Sequence, residues 1–308
     1  MLLKLKKSAI GKSFSHVPLR TILIVPFVLQ LFAAVGLTGY LSLRNGQKAV
    51  NDLAGRLQNE VSLRVDQHLN SYLNTARHLA QINGDAIELG LINLESQEQI
   101  GQFFWQQLQL YNVGYMSLAT KIGDFTGAGY FAGNNIVVDE SSLRKNGNRD
   151  DYVYEVDSRG NRVKLLYVNK NYNFEKEAWY AQIVQAGKPI WSDIYYQWTS
   201  PPFPLAVSAN SPVFDKNKNL IGVIGIDQRL SQISDFLKQL KVSQSGKVFI
   251  LERNGLIVAS SSTELPYTLV NEKPKRLKAI EIPDPLIKSA AQYLQQTFGS
   301  FREIKESQ

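Results

Sequence analysis

The chain has 308 residues, with 34 lysines and arginines against 27 aspartates and glutamates, for a formal charge of +7. Lys4, Lys6, Lys7, Lys12 and Arg20 all come before any acid, so the excess marks a membrane leader and argues against a nucleic-acid-binding face. The absence of cysteine excludes disulfides, thiol catalysis and cysteine-ligated zinc.

Residues 1–20 read as a basic cytoplasmic leader. Residues 21–43 carry no charge between Arg20 and Arg44, and a helix over them spans roughly 34 Å at 1.5 Å per residue. That length suits a transmembrane helix, because the apolar core of a cleaved signal peptide runs to only about 7–15 residues. Pro26 falls in the first turns, where a missing amide is tolerated. By the positive-inside rule the amino terminus is cytoplasmic, which places everything after Leu43 outside a bacterial inner membrane in a single pass.

Over residues 44–90, Val50, Leu53, Leu57, Val61, Val65, Leu69, Leu73, Ala76 and Ala80 recur at intervals of three and four, the stripe of a long helix. Such a helix runs roughly 70 Å, more than one small domain covers, and predicts a stalk that pairs with a second copy into a homodimer. Asn83-Gly84 is the expected break near its end. His68 and His78 lie about 80° apart around the helix, so they make no metal pair and read as surface or interface histidines.

A short helix is predicted over 96–111, with Phe103, Phe104, Leu108 and Tyr111 on its apolar side. Short β-rich runs follow at 115–120, 129–132, 135–138, 152–156 and 163–168, separated by turn clusters such as Asp157-Ser158-Arg159-Gly160-Asn161. The acid pairs Asp139-Glu140 and Asp150-Asp151 then fall in loops and read as solvated charges. Gly127-Ala128-Gly129 lacks the Lys-Ser/Thr that a phosphate-binding loop needs. Residues 175–185 are predicted helical, with Trp179 and Tyr180 on the first turns. Strands are predicted over 190–198, 205–214 and 220–226, the first two flanking Ser200-Pro201-Pro202-Phe203-Pro204. A helix over 231–240, a hairpin over 247–260 and a helix over 285–298 complete the pattern.

No G-x-S-x-G, H-E-x-x-H, P-loop or G-x-G-x-x-G occurs, and three histidines leave little for a general base. The chain is expected to be neither an enzyme nor the holder of a cofactor or metal.

Between Tyr172 and Asp227 the chain presents, in order, Tyr172, the pair Trp179-Tyr180, then Tyr195, then Pro212-Val213, then Gly222-Val223-Ile224-Gly225 leading to Asp227. This order resembles the double Cache sensor domains of bacterial receptors. The resemblance implies an α+β fold, a long N-terminal helix packed on PAS-like antiparallel sheets after one transmembrane helix. It also implies a membrane-distal ligand-binding module over 91–240 and a partial membrane-proximal module over 241–308, with the chain stopping before a second membrane helix. Tyr172, Trp179, Tyr180, Tyr195 and Asp227 match the family's ligand-binding positions. Family members that bind amino acids carry arginines where Glu175 and Glu177 stand here, and glutamate repels the carboxylate that arginine grips. The expected ligand is therefore a small amine or other cationic metabolite, with Glu175 and Glu177 as further candidate contacts. Alternatives are a ligand-free periplasmic scaffold and a non-signalling remnant of a truncated receptor.

Overall fold

A computed structural model describes residues 18–131, 135–197, 203–240, 242–243 and 245–304. Most of the basic leader and residues 198–202 of the proline-rich loop lie outside the described residues. The chain divides into two compact units, Met1–Glu60 and Val61–Gln308.

In the first unit the described residues belong almost wholly to helix α1 (Leu19–Glu88), which contains Pro26 and the apolar segment. That segment has a mean hydropathy of 2.2 over its best window, and its residues are exposed. The helix is continuous through Asn83-Gly84, where a break was expected. Asn83 is fully buried and exchanges reciprocal side-chain hydrogen bonds with Gln107, at 2.8 and 2.7 Å, on α2 (Gln97–Leu110). A satisfied buried amide of this kind locks a helix where an exposed Asn-Gly would end it.

The second unit is built on one antiparallel sheet of nine strands. They are β1 (Tyr115–Thr120), β2 (Asp124–Phe131), β3 (Asn135–Ser142), β4 (Asp151–Val156), β5 (Arg162–Asn169), β6 (Ile190–Trp191), β7 (Tyr195–Tyr196), β8 (Leu205–Phe214) and β9 (Leu220–Arg229). Their order is β5-β4-β3-β2-β1-β9-β8-β6, with β7 also on β8. A one-turn helix α3 (Leu143–Asn146) follows β3, and α4 (Ala178–Ala186) and α5 (Leu230–Gln239) follow β5 and β9. The strand expected over 190–198 is interrupted at Ser192, whose backbone N–H and hydroxyl both bond the backbone of Ser208 on β8.

The period-two alternation of strands sorts the sheet into two faces. Met116, Leu118, Ala128, Val138, Ala209, Val213, Ile224 and Ile226 pack on Ala76, Leu79, Ala80, Ile87, Ile100, Phe104 and Leu108 of α1 and α2. Burying one such leucine or isoleucine stabilises by about 1.5–3 kcal/mol, so this face carries the core. The opposite face packs Ala119, Phe125 and Val223 against Phe174, Tyr180 and Ile183, and its remaining area is left for the site.

Tyr72 of α1 ties the helix to α5: its hydroxyl lies within hydrogen-bond distance of the Arg229 carbonyl, at 3.0 Å, and of the Gln232 side-chain amide, at 2.8 Å. His68 stacks on Phe236 with ring centroids 3.7 Å apart, so it is an inter-helix packing residue and not a surface one, while His78 is exposed. Two small hairpins follow, β10 (Phe249–Leu251) with β11 (Ile257–Ser260) and β12 (Tyr267–Val270) with β13 (Lys273–Arg276). Helix α6 (Pro285–Phe298) begins at Asp284, whose carboxylate accepts from the Leu286 and Ile287 amides. Ile257, Ala279, Ile282, Ile287 and Ala291 form the small core there.

Candidate functional site

The free face of the sheet floors a cavity of about 620 Å³. Register explains the room. Ser117 of β1 stands opposite Gly127 of β2 on one side and Gly225 of β9 on the other, and Tyr115 stands opposite Gly129. A Cβ at Gly127 would overlap the Tyr115 hydroxyl, and one at Gly129 would overlap its ring. The Tyr115 ring therefore lies across β2, and its hydroxyl donates to Asp139 Oδ2 at 2.6 Å.

One end of the cavity is set by Asp227 near the end of β9, opposite Ser208 of β8 and Tyr115 of β1. Asp227 is 5 % exposed, and burial raises its carboxyl to about 6 even though the Tyr195 and Ser208 hydroxyls favour the ionised form. The wall is aromatic. Tyr172 meets Phe125 edge-on at 5.3 Å, and Trp179 lies 6.2 Å from Phe125. Burial and the neighbouring Asp227 push the Tyr195 hydroxyl well above the ordinary tyrosine range, so it stays a neutral donor.

The structure brings together Tyr172, Trp179, Tyr195, Asp227 and Glu177, which all line this cavity. It does not bring Tyr180 or Glu175 there. Tyr180 turns into the core, edge-on to Phe174 at 5.3 Å, because successive residues of a helix face different ways. Glu175 sits in a one-turn 3-10 helix (Phe174–Lys176) and pairs with Arg149 at 3.0 Å, whereas Glu177 starts α4 with no side-chain cap bond.

The acid pairs expected in solvent are corrected outright. Asp139 and Asp151 are each 5 % exposed, lie in β3 and β4 and line the cavity. Glu140 pairs with Arg162 at 2.6 Å, and buried Asp150 pairs with Lys170 at 2.6 Å. Burial raises Asp139, partly offset by the Tyr115 hydroxyl; burial and then repulsion from Asp139 raise Asp151. The expected strand over 135–138 stopped one residue short of Asp139, and β3 runs to Ser142 because the Glu140–Arg162 pair and the Ser142 cap on Lys145 satisfy its polar end. Carried two residues further, the same alternation that buries Val137 would have put Asp139 on the cavity face.

A family model described as Cache domain matches residues 46–306. Among solved structures, the ligand-binding domain of the Campylobacter jejuni chemoreceptor Tlp3, in complex with 4-methylisoleucine, is 11% identical. The alignment covers 67% of this chain and 69% of that one with a TM-score of 0.44. The ligand-binding domain of the Pseudomonas aeruginosa PAO1 amino acid chemoreceptor PctC, in complex with GABA, is 18% identical over 65% of this chain and 72% of that one, again at 0.44. Histidine kinase 1 of Arabidopsis thaliana is 28% identical over 97 residues, which are 31% of this chain and only 8% of that protein.

Proposed function

Since the chain belongs to the Cache domain family of ligand-binding sensor modules, we propose that it is the membrane-anchored input of a signalling receptor for a small organic amine. One observation carries the choice of ligand. Asp139, Asp151, Glu177, Asp193 and Asp227 line the cavity, and Lys170, the one cationic side chain among the described lining residues, is already paired with Asp150. Burial holds Asp139, Asp151 and Asp227 above the usual carboxylate range, so a bound cation is favoured because it draws these acids into their ionised form, whereas a free carboxylate finds no free cation to pair with among the described lining residues.

In this reading Asp227 receives the ammonium, Tyr195 and Ser208 hold that carboxylate in place, and Tyr172, Phe125 and Trp179 cover the rest of the ligand. A charge-assisted hydrogen bond contributes about 1.5–3 kcal/mol and an aromatic face about 0.5–2 kcal/mol; with apolar burial added, micromolar affinity is within reach. Residues 21–43 cross the membrane, the amino terminus stays in the cytoplasm, and the residues after Leu43 lie outside it, with a distal module over 91–240 and a proximal module over 241–308. The stalk pairs two copies.

Calorimetry on the full chain in detergent, titrating primary amines and ordinary α-amino acids, tests the reading. Amines are expected to bind and Asp227→Ala to weaken them at least about tenfold. Tight binding of an α-amino acid, or amine binding that survives Asp227→Ala, overturns it.

A further inference from the structure

The cavity has a second acidic end that a single ammonium on Asp227 leaves unused, and we propose that Asp139 and Asp151 receive the far ammonium of an elongated organic dication, a linear diamine or triamine. The inference rests on the amine reading of Asp227 and goes on to name the ligand's length and charge.

Both carboxylates are buried, both line the cavity, and Oδ1 of each has no hydrogen-bond partner among the described residues. Buried acceptors in folded proteins are nearly always satisfied, and two buried carboxylates near each other call for a cation between them. An ammonium answers both needs, because it brings three donors and a positive charge to one point. Tyr115 cannot do this: its single proton is already given to Asp139 Oδ2. Lys170 is engaged by Asp150.

Register gives the spacing. Asp139 stands opposite Gly127, Gly127 opposite Ser117, Ser117 opposite Gly225, and Asp227 follows two residues on. Three strand spacings of about 4.8 Å across the sheet and two residues of about 3.4 Å along β9 separate the two positions by about 16 Å. Subtracting a hydrogen bond of about 2.8 Å at either end leaves on the order of 10 Å between the two nitrogens. A short monoamine or a compact diamine cannot bridge that gap; an extended chain can. Between the two ends the cavity is lined by Ser117, the Tyr115 ring that lies over Gly127, Phe125 and Tyr172, an apolar stretch for methylenes.

The test compares diaminooctane with aminooctanol, which has the same length but ends in a hydroxyl, by calorimetry on the full chain in detergent. Diaminobutane and the triamine spermidine extend the series. Diaminooctane and spermidine are expected to bind at least about tenfold tighter than aminooctanol and than diaminobutane. Asp139→Asn with Asp151→Asn should weaken diaminooctane at least about tenfold more than aminooctanol and so bring the two to similar affinity, whereas Asp227→Asn weakens both. The comparison of ligands on the unaltered chain needs no variant to fold. Equal affinity for diaminooctane and aminooctanol, or a diamine preference that survives the double substitution, overturns the inference while the amine reading stands. Failure of every amine to bind overturns both.

Discussion

Burial raises the Asp227 carboxyl to about 6 in the ligand-free protein, against an ordinary aspartate value near 4 when unfolded. A raised acid favours the folded state while protonated. The contribution is therefore complete below about pH 4 and is lost as pH rises through about 6, at a cost on the order of 3 kcal/mol. Urea unfolding of wild type and Asp227→Asn is expected to show the variant gaining about that much relative to wild type between pH 4 and pH 8, with no ligand present. A difference that stays constant with pH would mean that Asp227 is not held out of water. Loss of binding together with a gain in stability is what a residue kept for its ligand should show.

At the level of elements, strand and helix periods were legible wherever apolar residues marked them. The expected bounds of β1, β8 and α6 agree with the structure to the residue, and the Ser96 cap of α2 is where the helix was expected to start. What the pattern hid was polar: β3 continues through Asp139-Glu140-Ser141-Ser142 because the Asp139, Glu140 and Ser142 side chains each have a partner, which is not visible in a list of propensities. The α1 stripe had the right period, but its buried face in the second unit includes Tyr72, Leu79 and Ile87, because Tyr72 reaches Arg229 and Gln232. Nearer the amino terminus, Val50 and Leu53 are exposed at 66% and 68%, and Leu57 at 37%. If this stripe is the seam of a dimer, single cysteines at Leu53 or Leu57 should crosslink two chains in membranes, and the absence of native cysteine leaves no competing thiol. Crosslinking of equal yield at Gln58, on the other side of the helix, would rule the seam out.

For the whole molecule, charge was informative in its placement more than in its total. The net charge of +7 hid a site lined by five acidic side chains, because five of the seven excess positive charges come before Thr21. Tyr172, Trp179, Tyr195 and Asp227 could be picked out because they lie within 56 residues of one another in a recognisable order. Asp139 and Asp151 come from strands on the far side of β1 and β2, and only the sheet order brings them to the same cavity. The most direct measurement is a structure of the full chain with a bound primary amine. Its nitrogen should sit within about 3 Å of an Asp227 carboxylate oxygen with the hydrocarbon against Tyr172 and Trp179. An amine held elsewhere, or an anion occupying the Asp227 end of the cavity, would contradict the assignment.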